Sequence, residues 1–262
     1  MADIIEANGA RIAYRLDGPR DGPVVMLSNS LATSFAMWDA QIPALTDKYR
    51  VLRYDQRGHG GSEATKPPYS FDLLLEDACA LIGALGLGKV HFCGLSMGGM
   101  TGQLFGAKRA GMLRSLVLCD TSSNMPDASI WDARIKAARG EGMASLVPST
   151  IERWFTPAFR GKEKREVERV GGMIAATPVD GYVGCCNAIA AMDQTHLLPG
   201  IKTPTLVIVG ADDPATTVTH SEIIHRAIAG SELVVLQNAA HLSNIEQAAK
   251  FNAALRAFLD RH

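Results

Sequence analysis

No stretch of this chain is apolar for the roughly 18 residues that a membrane crossing needs. The amino-terminal run MADIIEANGARIAYRLDG has no basic start followed by an apolar segment. A membrane-spanning or exported protein is therefore not expected, and the chain reads as soluble and cytoplasmic. Charge of one sign is also missing: 26 Lys and Arg nearly cancel 27 Asp and Glu. Without a Lys/Arg run there is no electrostatic footprint for a phosphate backbone, so nucleic acid is not an expected partner. Cysteine is scarce and unpatterned. The five (Cys79, Cys93, Cys119, Cys185, Cys186) are odd in number and mostly sit within apolar runs, which suits reduced thiols in a cytosolic compartment. The adjacent Cys185 and Cys186 read as small buried apolar residues rather than a redox pair. No Cys/His cluster has metal-ligand spacing, so no metal and no cofactor are expected. Repeats, low-complexity tracts and Pro-rich linkers are absent too.

What is present is a chain of 262 residues, 47% hydrophobic and 20% charged, enough for one sizeable core. Two alternating runs flank Asn8-Gly9, a dipeptide suited to positive φ, and predict an opening antiparallel hairpin. Short apolar β-type runs follow at 24–27, 51–54, 90–93, 113–119, 205–209 and 233–236. Helical patterns lie between most of them, including 71–85, 98–108, 220–229 and 244–259. Strands alternating with helices imply right-handed crossovers and a mostly parallel sheet covered on both faces. From 125 to 195 the alternation stops. That stretch is helical in pattern and concentrates Trp131, Trp154, Phe155 and Phe159, so it reads as a helical cap inserted into a core made of 1–124 and 196–262.

The strongest local signal is Gly94-Leu95-Ser96-Met97-Gly98, placed after the run Val-His-Phe-Cys and before a Gly- and Ala-rich helical stretch. This is G-x-S-x-G in strand-turn-helix context, in which a tight turn strains the serine and holds it above the sheet edge. Glycines two residues either side are needed because a Cβ there would clash. A serine hydroxyl becomes a good nucleophile only beside a base oriented by a carboxylate. His241, directly after the last predicted strand, is the choice of base. His59 in the Gly-rich loop Arg57–Ser62 reads as a loop-stabilising residue, His91 falls inside a strand, and His196 lies at the end of the cap. For the acid, Gly210-Ala211-Asp212-Asp213-Pro214 follows a strand in the order serine, acid, histidine. Asp213 is chosen, with Asp212 next and Asp120, also after a strand, as a further option. An oxyanion hole needs two backbone donors. Met97, after the nucleophile, supplies one, and the loop Ser28-Asn29-Ser30-Leu31 nominates the N–H of Ser30 for the other, each contributing roughly 3 kcal/mol to lowering the barrier.

Taken together, several segments resemble the 3-oxoadipate enol-lactone hydrolases. They are Ser28-Asn29-Ser30-Leu31 with Met37-Trp38-Asp39, then Leu52-Arg53-Tyr54-Asp55-Gln56-Arg57-Gly58-His59-Gly60, Phe92 to Met100, Glu152-Arg153-Trp154-Phe155-Thr156, and Ala240 to Glu246. General α/β-hydrolases usually carry His-Gly where this chain has Ser28-Asn29, so that loop is the most discriminating part of the resemblance. The resemblance implies an α/β-hydrolase fold with an eight-stranded, mostly parallel sheet. It also implies hydrolysis of a small carboxylate-bearing lactone in bacterial degradation of aromatic compounds, with Ser96, Asp213 and His241 as the triad. The partner is then a small molecule. An anionic substrate asks for a cation in the cap, and Arg134 is the first candidate because a guanidinium grips a carboxylate through two hydrogen bonds. Arg153 and Lys136 are rivals, and Trp38, Trp131 and Trp154 are candidates to wall the pocket. Competing readings are a general carboxylesterase with perhydrolase side activity, a hydrolase of carbon-carbon bonds, and a ligand receptor on a hydrolase scaffold.

Overall fold

Asn8 and Gly9 take φ of 50° and 71°, the pair of left-handed residues that matches the twist of two adjoining strands. They close an antiparallel hairpin between β1 (Asp3–Ala7) and β2 (Ala10–Asp17). The structure, a computed structural model, describes residues 2–262. Six further strands follow: β3 (Val24–Ser28), β4 (Arg50–Tyr54), β5 (Val90–Leu95), β6 (Leu113–Cys119), β7 (Thr205–Gly210) and β8 (Glu232–Leu236). Their order across the sheet is β1-β2-β4-β3-β5-β6-β7-β8. Only β1 with β2 and β2 with β4 pair antiparallel; all later pairs are parallel. Every residue of β3, β5 and β7 is buried, which requires cover on both faces and explains why these strands read as unbroken apolar runs.

The chain leaves β3 toward β4 on one side and then crosses to β5 on the other. The carboxyl ends of β3 and β5 therefore flank the crevice where connections diverge, the usual place for a ligand in an open α/β sheet. Between β6 and β7 there is no strand. Five α-helices occupy that stretch, Ala128–Glu141, Val147–Trp154, Pro157–Lys162, Lys164–Ala176 and Val179–Ala190. Its two ends meet: Asn124 and Asp193 form an antiparallel bridge, and Gln194 N–H donates to the Ser123 carbonyl at 2.8 Å.

Two local expectations need correction. The single helix expected over 244–259 is two, Ser243–Glu246 and Ala248–Leu259, separated by Gln247 at φ −121° and ψ 46°. Glu246 turns back to accept the Ala240 N–H at 2.9 Å, and Gln247 donates to the Asn238 carbonyl at 2.8 Å. These bonds tie the helix start to the loop before it and divert the backbone from one continuous spiral. Helical turns also occupy Phe35–Gln41 and Ile42–Leu45, where the sequence pattern suggested no element.

The helical stretch meets the loop after β4 at a glycine contact. A Cβ on Gly181 would stand 2.0 Å from the Gly58 carbonyl oxygen, and one on Gly58, at φ 77°, would stand 2.3 Å from the Gly181 Cα. Gly181→Ala should lower unfolding stability by about 1–3 kcal/mol through overpacking, read as a fall in the urea midpoint. Next to this contact, His59 is fully buried. Its Nε2 accepts the Ala32 N–H at 2.9 Å and its Nδ1 faces the Arg57 carbonyl at 3.2 Å. Burial pushes its pKa from 6.5 to about 4, with the Arg57 carbonyl opposing. Because the unfolded chain binds this proton first, the contribution of neutral His59 is complete above pH 6.5 and is lost as pH falls toward 4. It amounts to about 3 kcal/mol. Urea unfolding of wild type and His59→Gln across this range should show a shallower pH slope for the variant.

Candidate active site

The turn after β5 is tight enough to force Ser96 into φ 56°, ψ −114°, a region that a non-glycine residue occupies only under constraint. A Cβ on Gly94 would lie 2.1 Å from the Gly98 carbonyl oxygen, and one on Gly98 would lie 2.2 Å from the Ser28 carbonyl oxygen. The turn is pinned by Ser96 N–H to the Cys119 carbonyl at 2.8 Å and Gly98 N–H to the Asn29 carbonyl at 3.0 Å. Helix Met97–Lys108 starts at once, so its free N–H groups and positive dipole end lie beside the Ser96 side chain.

His241 is buried in the loop after β8, its ring stacked on Trp154 with centroids 6.1 Å apart. Its Nδ1 lies 2.8 Å from Asp213 Oδ2. The other Asp213 oxygen accepts the N–H groups of Ala215 at 2.8 Å and Thr216 at 3.0 Å, and the Thr216 hydroxyl donates to Oδ2 at 2.6 Å. Burial works to raise the Asp213 carboxyl, but the His241 charge and the hydrogen bonds from His241 and Thr216 outweigh it, and the net shift is downward. Such a carboxylate stays ionised and fixes the imidazole with Nδ1 protonated and Nε2 free to accept. The neighbouring Asp212 is exposed. Asp120 is fully buried but bonds elsewhere, to the Gly210 N–H at 2.8 Å and the Ser243 hydroxyl.

The loop after β3 departs from expectation in two respects. The N–H of Ser30 is turned to the sulfur of Met37 at 3.3 Å. The next N–H, that of Leu31, has no hydrogen-bond partner among the described residues, and Leu31 lines the same cavity as Ser96. The left-handed Ala32 (φ 59°), held by His59, sets this direction. Trp38, expected in the pocket wall, is instead fully buried in the core: its Nε1 donates to Asn29 Oδ1 at 3.0 Å, and its ring lies 6.2 Å from that of Phe251. It supports the loop from behind and does not line the cavity.

Ser96, His241 and Thr216 open onto one cavity of about 220 Å³, whose far wall comes from the helices between β6 and β7. Trp131, Trp154, Arg134 and Arg153 all line it. Lys136 points to solvent. Arg134 lies over the Trp131 ring at 4.6 Å, and Arg153 donates to Thr150 Oγ1 at 3.2 Å. Neither guanidinium has a carboxylate partner among the described residues, and no acidic residue lines the cavity. Burial, and then the charge of Arg134, lowers the Arg153 pKa. Leu31 and Thr216 escaped the sequence reading. Thr216 had a usable signal, a hydroxyl three residues after the aspartate, where it and its N–H both reach back to the carboxylate.

Among the described residues no group of three or more His, Cys, Asp or Glu is placed to hold a metal ion, and no helix is long and apolar enough to cross a membrane. A family model described as the alpha/beta hydrolase family matches residues 15–254. A 3-oxoadipate enol-lactonase of Acinetobacter baylyi is 37% identical over 259 residues, which are 99% of this chain and 97% of that protein. The crystal structure of the enol-lactonase from Burkholderia xenovorans is 40% identical with a TM-score of 0.97, covering 98% of this chain and 100% of its own. A hydrolase from Pseudomonas aeruginosa is 42% identical with a TM-score of 0.95, covering 98% of each chain. With this fold, this turn and these relatives, the chain is an ester hydrolase and belongs to the 3-oxoadipate enol-lactonase family of the α/β hydrolases.

Proposed function

We propose that this chain opens 3-oxoadipate enol-lactone to 3-oxoadipate through an acyl-enzyme on Ser96, in the cytoplasmic degradation of aromatic compounds. The observation that carries this reading is the pair of half-buried, unpaired guanidiniums, Arg134 and Arg153, in the wall of the cavity onto which Ser96 and His241 open. A buried cation without a counter-ion is costly, and a substrate carboxylate removes that cost on binding. The volume of about 220 Å³ is below the range of about 300–1,000 Å³ typical of drug-sized ligands and suits a small metabolite. The Acinetobacter baylyi relative is named for this substrate and the Burkholderia xenovorans structure as an enol-lactonase, and the five unpaired thiols suit a reducing compartment.

In this mechanism residues 125–195 act as a cap over the core. The Ser96 oxygen attacks the lactone carbonyl while His241 Nε2 takes its proton. The resulting oxyanion is held by the N–H groups of Met97 and Leu31, the latter replacing Ser30 because the Ser30 N–H is committed to Met37. Collapse of the tetrahedral intermediate breaks the ring C–O bond and expels an enolate, which takes from His241 Nε2 the proton that came from Ser96, leaving the imidazole neutral, and ketonises. The leaving group therefore needs less help from a general acid than an amine would. Water, losing its proton to His241, then attacks the acyl carbon; the bond to the Ser96 oxygen breaks, that oxygen takes the proton back from His241, and the second carboxylate of the product is freed. Trp131 and Trp154 wall the site, and Arg134 takes the substrate carboxylate with Arg153 beside it.

The test is hydrolysis of 3-oxoadipate enol-lactone against a neutral short-chain aryl ester. Ser96→Ala should lower kcat on both by roughly ten-thousand-fold or more. Arg134→Gln and Arg153→Gln should each lower kcat/KM for the lactone by roughly 10–100-fold, as expected for a lost charged hydrogen bond, while leaving the neutral ester within a few-fold. Equal losses on both esters would remove the carboxylate reading and leave a general carboxylesterase.

A further inference from the structure

We infer that Thr216 is a positioning residue for this reaction: its hydroxyl holds the Asp213 oxygen that faces His241 and limits how strongly that carboxylate favours the protonated imidazole. The inference rests on the reading of His241 as the base. Asp213 Oδ2 receives two donors, the Thr216 hydroxyl at 2.6 Å and His241 Nδ1 at 2.8 Å. The hydroxyl oxygen is also 3.2 Å from Nδ1, so it stands against the Asp213–His241 hydrogen bond itself. Thr216 is 2% exposed, and the acceptor that its hydroxyl proton reaches is Asp213 Oδ2. Its own N–H and that of Ala215 fill the second carboxylate oxygen. With each oxygen accepting two hydrogen bonds, the negative charge of Asp213 is shared among four donors instead of being directed wholly at the imidazole.

The consequence is a trade. A carboxylate facing His241 without competition would stabilise the imidazolium more and keep the ring protonated, and useless as a base, to higher pH. The Thr216 hydroxyl draws off part of that stabilisation and keeps the ring neutral, and ready to accept the Ser96 proton, at lower pH. Other titratable groups lie around the pair as well: Asp120 from the end of β6, with Glu246 beside it from the short helix after the His241 loop, and Arg134 and Arg153 from across the cavity. They are common to wild type and to variants at position 216, so a difference between those proteins belongs to the hydroxyl.

Thr216→Val keeps the shape and both backbone donors and removes only the hydroxyl. The acid limb of kcat/KM should move to higher pH by about 0.5 unit, a fraction of the 1–2 units that a hydrogen bond to a charged group is worth. Thr216→Ser should return the limb to its wild-type place. In parallel, the protonation midpoint of the His241 imidazole is read by nitrogen-15 NMR in a Ser96→Ala background, which needs neither turnover nor the right substrate. A midpoint that moves up with Val and not with Ser supports the inference. A Val variant that titrates as wild type does, or a Ser variant that shifts as far as Val, overturns it and leaves Thr216 as packing. If the NMR midpoint moves while the kinetic limb does not, the Thr216 coupling stands and His241 as the base falls. Should Thr216→Val fail to fold, Thr216→Ala carries the same comparison.

Discussion

A side chain at position 98 would place its Cβ 2.2 Å from the carbonyl oxygen of Ser28, and the site is arranged around that close approach. β3 and β5 are parallel neighbours, so the loops leaving their carboxyl ends rise side by side. The absence of a Cβ at Gly98 lets the two loops share a backbone hydrogen bond, from Gly98 N–H to the Asn29 carbonyl. That bond fixes the start of helix Met97–Lys108 against the loop carrying Leu31, the two segments whose N–H groups the proposed mechanism directs at the oxyanion. The left-handed backbone of Ser96 costs of order 1–3 kcal/mol. It is offset by contacts on three strands: β5 leads into it, β6 accepts its N–H through Cys119, and β3 lies behind it. Helical propensity plays little part here; the turn exists because the sheet leaves it no other path.

The arginines divide by what they face. Arg53 is buried and reaches two carboxylates, Asp17 at 2.7 Å and Asp39 at 2.5 Å. Arg57 is buried and meets Asp77 through two hydrogen bonds, with the Asn8 carbonyl as a third partner. These follow the general rule that a cation removed from water is paired. Arg134 and Arg153 depart from it in the same cavity, and the lowered pKa of Arg153, due in part to Arg134, records their mutual repulsion. A pair of like charges held together in a partly dry pocket draws anions inward. The two patterns together separate arginines whose charge is paired within the fold from arginines left without a carboxylate partner in the cavity wall, a distinction that composition and net charge cannot make.

What the sequence disclosed was what is decided within a few residues. The Asn8-Gly9 turn, the strand at Leu113–Cys119 and the glycine spacing around Ser96 each follow from local sterics or from a run of apolar side chains. What it withheld depends on residues distant in the chain. Trp38 and Trp131 are alike as side chains; one is a core residue and the other a cavity wall only because Asn29 and Phe251 converge on the first, whereas Arg134 lies over the second. Ser30 and Leu31 are adjacent N–H donors, and the choice between them is made by Met37 from one side and by His59, through Ala32, from the other. The break at Gln247 arises because Glu246 answers Ala240 and Thr156, the latter 90 residues away in the chain.

Two carboxylates near the imidazole illustrate how one fold gives the same group opposite states. Asp213 and Asp120 are both buried, and Asp120 feels the charge of Asp213. Four donors surround Asp213, one of them His241, and its pKa falls below the usual range. Asp120 has only the Gly210 N–H and the Ser243 hydroxyl. Burial, and then the neighbouring charge of Asp213, hold its pKa well above that range. The separation is self-consistent, because ionising Asp213 is what makes a second charge at Asp120 unfavourable, as in other sites where like groups are driven apart. A neutral Asp120 ties the end of β7, through Gly210, to the helix after His241, through Ser243, without adding a second negative charge beside the ring. It can therefore brace the loop on which His241 sits while leaving the electrostatics of the imidazole to Asp213 and Thr216.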